Sequence, residues 1–249
     1  MQGSFEDEGH WLRSWSNETY LWYDEVQDRD PGLYATSAEG VAAYFDLLKT
    51  QQTTPSGNPK DRYHFTRDTA EYRAESEQGL TFGYGATYRL ISTSPPRELV
   101  IALVQADSPA AQASLERGAR IVTVDGVDLV NGTDAATLNA GLWPGQINEE
   151  HTFEVLDPGA SEPRSVTMRS GQIGTDAVPK TRILDTDSGK VGYLLFTDHI
   201  LTAEQQLIDA ITEMRNASIA DLVLDLRYNR GGYLYLANQI SYMIAGAGV

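Results

Sequence analysis

The sequence predicts an α+β multidomain chain. It has an N-terminal helical segment, a small mostly β domain, and the first strand–helix–strand–helix part of an α/β core. Three observations predict it: aromatic residues at helical spacing near the start, a series of short strand-like runs through the middle, and an apolar strand that ends in a glycine pair near residue 231. At 249 residues the chain is long enough for more than one modest domain, each burying its own core.

Residues 1–75 form the helical region. Trp11, Trp15 and Trp22 fall on one helical face with Tyr20 and Tyr23 beside them, a stripe expected to be core. Ser37 to Lys49 reads as a second helix, with Val41, Tyr44, Phe45 and Leu48 turned inward. Gln51 to Pro59 is a loop by composition.

Residues 76–172 change character. Strand-like runs occur at 81–90, 99–104, 120–124, 151–156 and 164–168, separated by turn residues. One short helix is expected around Pro109–Leu115, where Ser108 can cap and Pro109 occupies the first helical position. Asp125-Gly126 signals a hairpin turn.

Residues 173–249 read as the α/β part. Lys190 to Phe196 is a strand. Thr202 and Gln205 fit a capping box, and Leu207, Ile208, Ile211 and Met214 then follow at helical spacing. Leu222 to Leu224 is an unbroken apolar run, as in a strand buried on both faces. Tyr233 to Ile244 reads as a second helix, with Leu236, Ile240 and Met243 on one face. This order is that of a parallel βαβ unit with a right-handed crossover. Gly231 and Gly232 therefore stand where a strand ends and a helix begins, the place where open α/β sheets bind ligands. Glycine N–H groups there suit a developing negative charge such as an oxyanion. From the residues alone a plain tight turn is the favoured reading, since glycine turns are common punctuation. Asp225 and Arg227, on either side of Leu226, are expected to face opposite ways and to brace the loop.

Composition excludes several functions. Nineteen Lys and Arg against 35 Asp and Glu leave a formal charge of −16, which repels nucleic acid and anionic membranes. With no cysteine there are no disulfides, thiolate metal sites or cysteine nucleophiles. No run is long and apolar enough to cross a bilayer. The first eight residues lack the basic and apolar regions of a signal peptide, so either the protein is cytoplasmic or a leader has been removed. His10, His64, His151 and His199 are scattered without metal-ligand or triad spacing, and neither a Gly-x-Ser-x-Gly nor a His-Glu-x-x-His motif occurs. Asp185 to Gly189 is expected to be a plain turn. No metal and no cofactor are expected.

Gly83-Tyr84-Gly85 before a strand, then Asp107-Ser-Pro-Ala-Ala111, Leu115-Glu-Arg-Gly118 and Ile121-Val-Thr-Val-Asp-Gly126, resemble a PDZ domain of the bacterial type. The resemblance implies that the loop Phe82, Gly83, Tyr84, Gly85 receives a peptide's terminal carboxylate while the peptide adds as a strand. Ser114 stands where that family usually has glycine, and Ala119 where it generally has aspartate.

A PDZ-like domain followed by Leu224-Asp-Leu-Arg-Tyr-Asn-Arg-Gly-Gly232, and preceded by Tyr20-Leu-Trp-Tyr23, resembles the carboxy-terminal processing, or tail-specific, serine proteases. The resemblance implies a serine activated by a lysine, both downstream of the glycine loop. It gives Gly231 or Gly232 the oxyanion-hole role, with Arg230 replacing the usual proline or glycine. It divides the chain into a helical region (1–75), a PDZ-like domain (76–172) and the truncated first part of the protease core (173–249). It makes a polypeptide C-terminus the partner, leaves oligomeric state undetermined, and implies a periplasmic or otherwise extracytoplasmic location. The four lysines are Lys49, Lys60, Lys180 and Lys190, none after the loop, and the last serine, Ser241, lies within a helix pattern. The expectation is the front part of a serine endopeptidase that is inactive as this chain. The alternative is a non-catalytic peptide-binding module.

Overall fold

The Ser4 side chain accepts the amide of Asp7, and the Asp7 carboxylate accepts the amide of Ser4 at 2.8 Å, so a capping box opens helix α1 (Phe5–Thr19). The computed structural model describes residues 3–246; Met1, Gln2 and residues 247–249 lie outside the described residues. Its contacts divide the chain into two units, Met1–Asp68 and Thr69–Val249.

In the first unit, α1 is followed by single-turn helices at Tyr23–Glu25 and Pro31–Leu33 and by α2 (Ala38–Leu47), capped by Ser37 through the Gly40 amide. Val41, Tyr44 and Leu48 of the second predicted helix are buried, and the Tyr44 hydroxyl donates to the Arg29 carbonyl. The tryptophan stripe is not core. Trp11 and Trp15 are 57% and 53% exposed and stack on each other, with ring centroids 5.7 Å apart. The physical reason is that α1 packs through Gly9, whose missing Cβ lets it approach Pro31 and Ala35. Trp11 and Trp15 lie roughly 200° and 240° around the helix from Gly9, on its far side. Because α1 stops at Thr19, Trp22 leaves that face altogether and lies under the Lys60 ammonium.

The second unit opens with α3 (Thr69–Gln78), which runs into β1 (Leu80–Gly83). A larger antiparallel sheet then forms from β2 (Ala86–Ser92), β3 (Glu98–Val104), β4 (Arg120–Val124), the two-residue β5 (Val127–Asp128), β6 (Glu150–Leu156) and β7 (Arg164–Arg169). Its order is β2-β3-β4-β6-β7, with β5 folding back on β4, so β2 is an edge strand. Helices α4 (Pro109–Gln112) and α5 (Ala135–Leu142) pack against it, and β8 (Gly171–Gly174) returns to pair antiparallel with β1. This is the PDZ-like β domain. Leu99, Ile101, Ile121, Val124, Phe153 and Val155 fill its core. The Ser108 cap and the Asp125-Gly126 turn form as the sequence predicts, the turn with φ of 49° and 78°. Ser114 adopts a left-handed φ of 55°, the conformation for which glycine is the ordinary choice. Helix α5 and strand β8 escape sequence reasoning because each is short and weakly periodic.

The α/β part consists of β9 (Lys180–Thr186), β10 (Gly189–Leu195), α6 (Ala203–Asn216), β11 (Asp221–Asp225) and α7 (Leu234–Ala245). Strand β10 is central, antiparallel to β9 and parallel to β11 across the α6 crossover. Leu194, Phe196, Leu207, Met214, Leu236 and Ile240 form the core beneath it. Two expectations fail here. Strand β11 is not buried on both faces: Leu222 and Leu224 turn toward the core, but Val223 is 49% exposed, because only one side of this sheet edge is covered by helices. The capping box at Thr202 does not form either. The backbone is already helical there (φ −65°, ψ −18°), which leaves the hydroxyl buried beside Gly79 instead of over the first turn.

These burials predict unequal costs. Leu207→Ala, at a fully buried position, should lose about 2–5 kcal/mol of stability. Val223→Ala should lose under about 1 kcal/mol. Urea denaturation of both variants checks the difference.

Candidate functional site

Strand β11 ends on Asp225, which is 6% exposed. Its carboxylate accepts from Nε (3.0 Å) and Nη2 (2.6 Å) of Arg227, from the Arg227 amide (3.0 Å) and from the Tyr193 hydroxyl (2.6 Å). The expectation that Asp225 and Arg227 face opposite ways is therefore wrong. Residues two apart share a side of an extended chain, and here they close into a bidentate pair. The Arg227 guanidinium holds the Asp225 carboxyl well below the usual carboxylate range against the opposing effect of burial. The Tyr193 hydroxyl is pushed up, first by its bond to Asp225 and then by desolvation.

The loop that follows is stitched to the end of β10. Asn229 Nδ2 donates to the Phe196 carbonyl (3.1 Å), the Arg230 amide to Thr197 (2.9 Å), the His199 amide to Gly231 (2.8 Å) and the Tyr233 amide to His199 (2.8 Å). The Arg230 side chain donates through Nε to the buried Asp198 (2.7 Å) and reaches Glu75 of α3 at 3.5 Å. Gly232 has φ of 131°, and a Cβ there would collide with the His199 carbonyl oxygen, so only glycine fits. The two predicted oxyanion candidates differ. The Gly231 amide donates to Asn229 Oδ1 (2.9 Å), whereas the Gly232 amide has no partner among the described residues. Tyr233 is extended and α7 begins one residue later, so the free amide stands at a strand end and a helix start. A donor so placed can hold a developing oxyanion. His199, which sequence reasoning set aside as an ordinary polar residue, forms an isolated parallel bridge with Gly232. Its ring packs on Phe196 at 4.5 Å, with Nδ1 buried and unpaired. Ser241 is committed to its helix, its hydroxyl donating to the Ala237 carbonyl.

The predicted peptide-binding residues run from the end of β1 through the turn that leads into the edge strand β2. Phe82 and Gly83 pair with Gln172 and Gly171 on β8. The Tyr84 carbonyl accepts the Ala110 amide and the Gly85 carbonyl accepts the Gln105 amide, yet the amides of Tyr84 and Gly85 have no partner among the described residues. Gly85, at φ 74°, sits so close to Ser108 that a Cβ would strike its side chain. The loop thus presents two free N–H groups beside an unpaired strand edge, a fit for a carboxylate and for an added strand. Leu142, Trp143 and Pro144, at the end of α5, form the opposite wall, and Trp143 meets Tyr88 edge-on at 6.4 Å. The Tyr84 and Tyr88 hydroxyls are buried without partners, and burial pushes both up.

One cavity of about 800 Å³ includes this groove and also Thr197, Asp198, Arg227, Tyr228 and Arg230 of the α/β part. Nothing in the spacing of residues along the chain indicates that the two loops face a common space. Among the described residues no group of His, Cys, Asp and Glu could hold a metal ion.

Residues 190–249 match the profile of Peptidase family S41, and the chain is similar in sequence to carboxyl-terminal-processing proteases. It is 29% identical over 140 residues to the carboxyl-terminal-processing protease of Synechocystis, covering 55% of this chain and 32% of that protein. Over 223 residues it is 28% identical to the chloroplastic carboxyl-terminal-processing peptidase 3 of Arabidopsis thaliana, covering 83% of this chain and 41% of that one. The chain spans about a third of the length of the curated relatives it matches. A putative S41 protease from Bacteroides fragilis shares the fold, with a TM-score of 0.56 and 19% identity over 91% of this chain and 57% of its own.

Two variants test the loop. Gly232→Ala should cost about 1–3 kcal/mol through backbone strain plus the collision with His199, whereas Gly231→Ala, whose Cβ meets nothing within 4 Å, should cost only about 1–2 kcal/mol. Thermal unfolding of the pair gives the order. Because the Asp225 carboxyl is held low in the folded state, its contribution is complete above about pH 4 and is lost as pH falls toward its folded value. Asp225→Asn should therefore lower stability at neutral pH by about 1–2 kcal/mol and flatten its decline below about pH 4, as read by denaturation across pH.

Proposed function

We propose that this chain is the N-terminal part of a serine endopeptidase of the carboxy-terminal processing type. Its substrates are polypeptides with exposed C-termini, taken up by the PDZ-like residues 76–172 and presented to a core that begins with residues 173–249. The single observation that carries this reading is the pair of free amides at Tyr84 and Gly85 beside the open edge of β2, in a cavity that also takes in the loop before Gly231. In the proposed mechanism a serine, activated by a lysine, attacks the scissile carbonyl, and the Gly232 amide steadies the resulting oxyanion. The reading includes a place of work in the periplasm or otherwise outside the cytoplasm, as the resemblance to this family implies.

A second reading, a peptide-binding module without catalysis, is favoured for the 249-residue chain by itself. Its Lys180 and Lys190 belong to β9 and β10, and the Ser241 hydroxyl is spent on its own helix. On this reading the chain binds and does not cut.

Incubation of the purified chain with an unstructured polypeptide should give no cleavage; contaminant-free cleavage would overturn the second reading. Peptides ending in an apolar residue with a free carboxylate should bind at least about tenfold tighter than their amides, since amidation removes charge-assisted bonds to two amides. Equal affinity for both forms in a calorimetric titration would sink the carboxylate-binding role of the loop.

A further inference from the structure

The shared cavity has a charge opposite to that of the protein. The chain carries −16 overall, yet the charged side chains lining the cavity are three arginines, Arg89, Arg227 and Arg230, and one aspartate, Asp198. Arg89 projects from the exposed edge strand β2 and has no carboxylate partner among the described residues. Arg227 and Arg230 are paired with Asp225, Asp198 and Glu75, but these partners are the more buried members. The side chains of Asp225, Asp198 and Glu75 are 5%, 8% and 20% exposed, while those of Arg227 and Arg230 are 64% and 60% exposed. Each guanidinium also keeps unused donors. Arg227 binds Asp225 through Nε and Nη2, leaving Nη1, and Arg230 uses Nε and Nη1, leaving Nη2. A ligand entering the cavity therefore meets cations first.

We propose that this groove selects polypeptide ends bearing acidic side chains a few residues before the free terminal carboxylate, with Arg89 as the residue that reads them and Arg227 and Arg230 reinforcing the field. The inference rests on the peptide-binding reading above. A strand added to β2 advances about 3.4 Å per residue, and Arg89 lies four residues beyond Gly85. With the terminal carboxylate at the Tyr84 and Gly85 amides, a ligand residue roughly three or four positions upstream comes level with Arg89. The surrounding acidic surface repels such a peptide elsewhere, so the local arginines also confine it to the groove.

The test is a calorimetric titration of the whole chain with ten-residue peptides that share one apolar C-terminal residue and differ in two upstream positions, both Asp, both Asn or both Lys. At low salt the Asp peptide should bind about tenfold tighter than the Asn peptide and the Lys peptide weakest, and the gap should shrink at about 0.5 M salt. Arg89→Gln, an exposed change that leaves the core untouched, should cut the Asp-to-Asn ratio about threefold, and Arg89→Lys should restore part of it. Equal binding of Asp and Asn peptides, both still requiring the free carboxylate, would overturn the charge selection and leave the peptide-binding reading standing. An Asp preference that Arg89→Gln does not change would remove Arg89 from its assigned role. Equal binding of free and amidated peptides would overturn the reading and this inference together.

Discussion

The hydrogen-bonded zipper between residues 196–199 and 229–233, three backbone bonds and one from the Asn229 side chain, is the constraint on which the site depends. Four hydrogen bonds tie the end of β10 to the loop after β11, and Gly232 can join only because it lacks a Cβ. Remove the zipper and the free amide of Gly232 has no fixed direction, since a donor stabilises charge only when it is aimed in advance. The buried Asp225 braces the same loop from its other end by taking up Arg227 and Tyr193. Between them these contacts fix both margins of a segment that is itself without regular secondary structure.

The PDZ-like domain solves a similar problem by different means. In its loop the Tyr84 and Gly85 carbonyls accept from Ala110 and Gln105, while the amides of the same two residues have no partner among the described residues. The backbone is pinned on its acceptor side and open on its donor side. Strand β2 remains an edge, which natural sheets usually blunt with charge, and Arg89 serves that purpose here while also facing the cavity.

Much of this was legible in the sequence, for reasons that name themselves. The apolar runs of β3, β4, β6 and β7 alternate with turn residues, and Ser108-Pro109 and Asp125-Gly126 are local signals that need no tertiary help. Local rules failed where a neighbour decided the outcome. Thr202 has the right spacing for a cap, but the chain enters α6 already helical. Val223 sits in an apolar run, but only one face of its strand is covered. The tryptophans have a helical period, yet the helix packs through the small residue opposite them. At the site, the sequence singled out Gly231 and Gly232 together. Only the fold separates them, because the Asn229 side chain takes one amide and leaves the other. Nor could spacing show that Asp198, Arg227 and Arg230 share a cavity with Arg89, some hundred or more positions away in the chain.

The placement of the four tryptophans has an optical consequence. Trp11, Trp15 and Trp22 all belong to the first unit, while Trp143 alone stands at the wall of the groove, edge-on to Tyr88. Native indole emission from this chain is therefore a mixture of three tryptophans of the first unit and one of the second. With those three replaced by phenylalanine, the protein would carry a single tryptophan, at the groove, a label-free reporter of whatever occupies it.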